Sequence, residues 1–544
     1  MKVEIVLAFL VSGLAIAQTA PGAAPLPAIR QNGAVKQMMV DGKPFLMLAG
    51  ELHNSSASSI EYMKPIWKKL EAMHLNTVIG AVSWELLEPE EGKFDFTLVD
   101  DQIRQARAHG MRLVLIWFGT WKNANASYVP LWVKKDEQRF PRVRSKDGVA
   151  QEELTPLGEQ SLAADSRAFR TLMRHIRSVD GQHTVIMMQV ENETGKLGDN
   201  RDRSPLAEAA WNRPVPAELM NYLSENKARL LPELSEVWGA HGFKTSGTWP
   251  EVFGDDAHGG EVFMAWYVGR YVGKVAEAGK AELPIPMYVN AWLVQNDHQQ
   301  PGDYPSGGPV SRVHDIWRAA APRLDLLAPD IYLPDFRGVC ASYTRSGNPL
   351  FIPEARASVP NLFWAIGNHA ALGYSPFGIE SLPEDTPLAE AYQTLEGMMP
   401  VLTKYQAEGK VAAVMQESPE QRNQTISMGG YKLNFSFGGG GRRAAEPVAG
   451  QPARPPQPNL GFALVLNTAP GEFVVAGQGF SLTPAPDSAG PKIAGFGSID
   501  EGRYERGVWI AGRRLNGDES GGGKRATLRG SEVGVLKIQL YRYE

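Results

Sequence analysis

Cysteine is almost absent: the 544 residues hold one, Cys340. An intrachain disulfide framework is therefore excluded, as is a metal site built from several thiolates. Stability has to come from a buried core. Concentrated positive charge is missing too. The 55 Lys and Arg against 60 Asp and Glu give a formal net charge of −5 with no long basic run, so the chain offers no electrostatic footprint for nucleic acid. Beyond residues 5–16 there is no long apolar stretch, and no membrane anchor is expected. His53, His298 and His314 are scattered without the i, i+4 spacing of a zinc site, so no catalytic metal and no other cofactor are expected. The segment after the first apolar run, Gly50-Glu51-Leu52-His53, is not a glycine-rich phosphate loop.

What is present divides into parts. Residues 1–17 read as a signal peptide: Lys2, a short apolar run and the small-x-small site Ala15-Ile16-Ala17 predict cleavage before Gln18 and a periplasmic or secreted protein. Residues 18–34 read as a linker. From 35 to 405, short apolar runs alternate with helical patterns. Strands are expected at 45–48, 77–82, 112–117, 185–190, 287–290, 326–328, 350–352 and 372–374, and helices at 59–73, 99–109, 167–178, 263–278 and 388–405. Buried strands alternating with helices imply parallel pairing, and eight such repeats fit a (β/α)8 TIM barrel with long loops. After 405 the pattern changes to short strand-like runs between turn residues, at 411–415, 424–428, 431–437, 462–466, 472–476, 493–496, 504–510 and 534–543. These predict a C-terminal all-β, sandwich-like domain. The Gly-, Arg- and Pro-rich residues 438–458 read as a flexible insertion within it.

In such a barrel the strand ends share one bowl. The residues at the expected ends are carboxylates, amides and aromatics: Glu51, His53, Trp84, Glu85, Trp117, Trp121, Asn192, Glu193, Asn290, Trp292, Asp330, Tyr332, Glu354, Arg356, Phe377 and Glu380. That set suits a carbohydrate, since polar groups meet hydroxyls and rings cover apolar sugar faces. Glycoside hydrolysis needs two carboxyl groups flanking the scissile bond. Glu193 follows the fourth expected strand and Glu354 the seventh, and these ends face each other across a barrel mouth. Asn192 is suited to donate to a sugar 2-hydroxyl. Glu191 is the alternative acid, and strand alternation is expected to turn it away from Glu193. The loop at residues 295–311 reads as solvated, as does the turn around Glu88, Glu90 and Glu91, with Glu88-Pro89 structural.

These residues also carry a resemblance. Asn192-Glu193 and Glu354 resemble the acidic pair of clan A glycosidases. The run Trp84-Glu85-Leu86-Leu87-Glu88-Pro89-Glu90-Glu91-Gly92-Lys93-Phe94-Asp95-Phe96 resembles the segment after the second strand in glycoside hydrolase families 35 and 42. Gln189-Val190-Glu191-Asn192-Glu193-Thr194-Gly195 is similar to the family 35 acid/base motif, with Thr194 where Tyr is usual, and Ser127-Tyr128-Val129-Pro130-Leu131-Trp132 resembles a later family 35 loop. The resemblance implies a retaining exo-β-galactosidase with Glu193 as acid/base, Glu354 as nucleophile and Tyr332 steadying the nucleophile. Asn192, Trp84, Glu85, Trp121, Asn123 and Trp292 would line the substrate site. The chain departs from the family at Ala81, Glu85 and Asn123, where Tyr, Asn and Glu are usual. These departures resemble a bacterial branch associated with plant-wall galactosides such as xyloglucan. Two other readings stay open: a clan A exo-glycosidase of different sugar specificity, and a non-catalytic carbohydrate-binding protein.

Overall fold

The computed structural model describes residues 24–438 and 460–544. The expected signal peptide, and the expected insertion apart from Gly438, lie outside them. Among the described residues no helix is long and apolar enough to cross a membrane.

The barrel strands are Met47–Glu51, Thr77–Ser83, Arg112–Lys122, Val185–Asn192, Met287–Trp292, Leu326–Asp330, Ile352–Ala355 and Gly373–Pro376. They form an eight-stranded parallel sheet in which the first strand pairs with the second and the eighth, and the chain order runs on around the ring. The gap between the sixth and seventh strands is closed by a parallel bridge, Ile331 to Ala355, with Ile331 N donating to Glu354 O at 2.8 Å. The C-terminal domain is two antiparallel sheets, six-stranded and four-stranded. The fold is a TIM barrel followed by an all-β domain.

Burial explains the sequence pattern. Met47, Ala49, Ile79, Val114, Ile116, Tyr288, Ala328 and Phe351 fill the barrel interior, while Leu48, Val78, Leu115 and Trp117 face the helices. Both sides are covered, so the strands read as continuous apolar runs. The stretch expected as a linker contains a strand, Ala28–Asn32, paired antiparallel with Val35–Val40. Met38 and Val40 of that hairpin join the interior cluster. The helix expected over 59–73 is two, Ile60–Met63 and Ile66–Ala72, because Pro65 cannot donate into the preceding turn. Helix Thr97–Ala108 stops where Gly110 takes φ 70°, a left-handed cap that glycine adopts without steric cost. The strand expected over 504–510 spans a turn between Ile493–Glu505 and Val508–Arg514.

The inner strands of the six-stranded sheet, Phe462–Ala469 and Glu472–Gln478, are buried on both faces. Val465, Val475 and Leu536 meet Leu433, Phe435 and Leu482 of the four-stranded sheet, whereas Phe462, Leu464, Leu466 and Val474 join the barrel's core. Helix Val359–His369 lies on that second face: Phe363 packs edge-on against Phe462, with centroids 4.8 Å apart. Gly367 is needed there, since a Cβ would stand 2.5 Å from Ala413 Cβ and 2.9 Å from Leu464 Cδ1. Gly367→Ala is therefore expected to destabilise the protein by about 1–3 kcal/mol, seen as a lower midpoint in thermal unfolding. An unchanged midpoint would contradict this contact.

Candidate active site

Glu193 and Glu354 meet at the mouth of the barrel. With Asp330 they bring one carboxyl oxygen each to within 4.8 Å of one another, the one carboxylate, His or Cys group among the described residues spaced to hold a cation. Each sits at a strand end for a local reason. Glu193 follows Asn192, the last residue of its strand, and its N–H donates to Asn290 Oδ1 at 2.9 Å. Asn290 in turn donates to Asp330 Oδ2 at 2.7 Å. Glu354 lies in the strand that closes the barrel, and Tyr332 Oη donates to its Oε2 at 3.0 Å. Asn192 Nδ2 lies 3.4 Å from Glu354 Oε1. Arg356, beyond the strand, is exposed, and Tyr332 is the neighbour that touches Glu354.

The electrostatics follow from burial. Glu193 is 7% exposed, and burial, helped by the negative charge of Glu354, lifts its carboxyl to about 7. Asp330 is pushed well above the usual carboxylate range by burial and then by Glu354 and Glu193. Glu51 at the end of the first strand is raised by burial and next by Glu354. Tyr332 is raised by burial and by Glu354, which keeps its hydroxyl proton in place as a donor.

Glu191 stands apart from this group. It is buried on the helix side, where its Oε2 accepts from Trp121 N at 2.6 Å and burial, with Asp165 beside it, raises its carboxyl far above the usual range. Regular alternation would put residues 191 and 193 on the same side. The backbone instead leaves the β region at both, with φ 63° at Glu191 and 45° at Glu193. Such values are uncommon for residues other than glycine and cluster at functional sites.

The other expected site residues divide. Trp292 is half-buried at the end of the fifth strand, paired in register with Asp330. Asn123 is half-buried and left-handed, φ 51°, and the next residue's N–H donates to Glu193 O at 3.0 Å. Glu85 forms an ion pair with Lys134 at 3.6 Å. Two aromatics lie elsewhere. Trp84 is fully buried, donates to Glu88 Oε2 at 2.9 Å and packs against Trp132. Trp121 is buried edge-on against Tyr271 of the helix layer, with centroids 4.7 Å apart. Neither joins the carboxyl cluster; for Trp121 the reason is that the third strand runs on to Lys122 with a register shift after Trp117. Glu88 is likewise buried, accepting from Trp84, Gly92 and Arg167. The loop at residues 295–311 is not simply solvated: Tyr304 and Ser306 are fully buried. Its Pro305 crowds Gly195, where a Cβ would lie 2.8 Å from Pro305 atoms, so the loop braces the segment after Glu193. Lys122 was missed by sequence reasoning. It is buried, and its Nζ donates to Asn192 Oδ1 at 2.9 Å. The signal was a lysine closing the apolar run Leu113-Val114-Leu115-Ile116-Trp117-Phe118-Gly119-Thr120-Trp121, where a glycine marks an irregular strand.

Parts of the chain are similar to known proteins. Residues 37–227 match glycosyl hydrolases family 35. Over that stretch the chain is similar to family 35. Residues 388–527 match a domain of unknown function, DUF5597. A β-galactosidase of Xanthomonas manihotis is 31% identical over 205 residues, 36% of this chain and 31% of that protein. The human β-galactosidase-1-like protein 3 is 26% identical over 188 residues, 33% of this chain and 26% of that protein. The chain thus spans about a third or less of these relatives' length. A solved β-galactosidase from Rahnella sp. R3 superposes with a TM-score of 0.43 at 16% identity, covering 66% of this chain and 57% of that one. The family 35 segment holds Glu51, Lys122, Asn192 and Glu193, whereas Glu354 lies beyond it.

The position of Glu193 depends on its neighbour. Since the charge of Glu354 helps to raise it, Glu354→Gln should bring Glu193 below 7, towards the ordinary glutamate range. Titration of 13C-labelled glutamate by NMR reads this directly. A midpoint unmoved by the substitution would mean that the two carboxyls do not face each other.

Proposed function

We infer that the protein is a retaining exo-β-galactosidase, with Glu354 as nucleophile and Glu193 as acid/base. The observation that carries this is the spacing of the pair. One oxygen of each lies within 4.8 Å of the other's, which fits the short carboxyl separation of retaining glycosidases, about 5–5.5 Å, better than the roughly 6.5–9.5 Å of inverting ones. The family 35 segment and the β-galactosidase relatives supply the sugar.

Each step uses groups in place. Glu354 Oε attacks the anomeric carbon as the glycosidic C–O bond breaks, and the Glu193 proton passes to the leaving oxygen. A covalent glycosyl ester on Glu354 results. Glu193, now ionised, takes a proton from water, whose oxygen displaces Glu354 and releases the sugar. Glu193 at about 7 is suited to both duties, because a group titrating near the working pH gives and takes protons readily. Tyr332 and Asn192 contact the two oxygens of Glu354 and hold it in line. The departures at Ala81, Glu85 and Asn123 point to a galactoside of the plant-wall type, xyloglucan among them, met in the periplasm or medium after removal of residues 1–17.

Hydrolysis of a p-nitrophenyl glycoside panel tests the reading. The β-galactoside should be cleaved best, and preference for another sugar would reassign the substrate to a different clan A exo-glycosidase. Glu354→Ala should lose at least about 10⁴-fold in kcat. Glu193→Ala should regain turnover with azide and yield a β-galactosyl azide. An α-azide would overturn the retaining mechanism, and binding without turnover by the unaltered protein would make it a carbohydrate-binding protein. Because the chemistry runs on the proton of Glu193 and the nucleophile Glu354, dialysis against EDTA should leave the rate unchanged.

The pH profile follows from the same group. Glu193 must carry its proton to start the cycle, so kcat/KM should fall as pH rises through about 7. With Glu193→Ala and an aryl galactoside whose leaving group needs no acid, this alkaline limb should vanish. If it persisted, another group would be the acid.

A further inference from the structure

We propose that Lys122 is the positioning residue of this site: its ammonium fixes the Asn192 amide with the NH2 turned to Glu354, and offers its remaining N–H to the sugar. This rests on the reading of Glu193 and Glu354 given above.

The geometry leaves little freedom. Lys122 Nζ donates to Asn192 Oδ1 at 2.9 Å. Lysine has donors only, so the amide oxygen must face it and the NH2 must point the other way. There it lies 3.4 Å from Glu354 Oε1, where it can also meet the 2-hydroxyl, a contact that strengthens in the transition state. Without Lys122 the amide could flip and present an oxygen to the nucleophile. An ammonium has three donors, and among the described residues one acceptor for them is found, Asn192. Lys122 Nζ also lies over the Phe118 ring, 5.3 Å from the centroid, so one N–H is left to offer a sugar hydroxyl at the position next to Asn123.

Charge gives a second argument. The titratable groups around the bowl are Glu51 from the first strand, Lys122 from the third, Glu193 after the fourth, Tyr288 from the fifth, Asp330 and Tyr332 from the sixth, Glu354 from the seventh and Glu380 after the eighth. Lys122 is the cation of that set. Its field opposes the rise of both Glu51 and Glu193. Removing it should therefore lift the titration of Glu193 above about 7, a change that mere loosening of the fold would not produce with that sign.

The experiment uses Lys122→Met, which keeps the stem without charge or donor, and Lys122→Gln, which keeps a donor without charge. On an aryl β-galactoside, Lys122→Met should lower kcat/KM roughly 10- to 100-fold and move the alkaline limb to higher pH. It should also shrink the rate penalty seen when the substrate is a 2-deoxygalactoside. Lys122→Gln should move the limb equally but retain most of the 2-deoxy penalty. In an Asn192→Ala background, Lys122→Met should leave that penalty unchanged. A folded Lys122→Met with the limb and the penalty of the unaltered protein would overturn the proposal. Glu193 can be followed by 13C NMR without turnover. If the unaltered protein cleaves no glycoside, the proposed function fails, while Lys122 still stands or falls on whether Lys122→Met raises the Glu193 midpoint.

Discussion

Carboxyl groups from Glu51, Glu193, Asp330, Glu354 and Glu380 crowd one buried space with a single ammonium, that of Lys122. Such a group cannot be fully ionised, because like charges at close range in a poorly solvated site disfavour the charged form. The structure resolves the conflict by holding protons. Asp330 and Glu51 are pushed far up, and Glu193 is left at about 7. Glu354 is the carboxylate that receives donors, from Tyr332 and Asn192. Two chemically identical side chains thereby acquire different roles through environment alone.

Holding that arrangement takes support from beyond the bowl. The backbone at Glu191 and Glu193 occupies the left-handed region, at a cost of order 1–3 kcal/mol for each such residue. The surroundings hold it there. Glu191 is clamped by the backbone N–H of Trp121 and by Asp165, Glu193 N–H by Asn290, and Glu193 O by Ala124 N–H. The loop carrying Pro305 then presses on Gly195. The strain sends Glu191 to the helix layer and Glu193 to the mouth, which regular strand geometry would not do.

The same physics decides what could be read in the sequence. The barrel was legible because strands covered on both sides must be apolar throughout, and Glu193 and Glu354 were legible as acids interrupting such runs. Glu191 was assigned away from the site correctly but for the wrong reason, since alternation predicts the opposite and the two left-handed residues reverse it. Trp84 and Trp121 were misplaced because a strand-end position does not say which way a side chain turns. The irregularity after Trp117 shifted the register and brought Lys122 inward in their stead. Tyr332 could be placed because it lies two residues beyond Asp330, just past a regular strand. Pro65 and the turn at residues 506–507 broke elements that hydropathy alone ran together.

The second domain packs against two helices next to the site. Val359–His369 follows directly on the strand that ends with Glu354 and Ala355, and it lies on the six-stranded sheet through Phe363, Gly367 and the paired bonds of Asn368 with Ala413, at 3.0 and 3.1 Å. Arg337, in the helix after the sixth strand, donates to Met415 O and stacks over Trp364 at 4.0 Å. Both helices flank the seam where the sixth and seventh strands close the barrel, and that seam carries Asp330, Tyr332 and Glu354. Interiors packed at this density transmit displacement rather than absorb it, so shifting the sheet must shift the strand end that holds Glu354. The second domain thus packs against both helices that flank the closing seam.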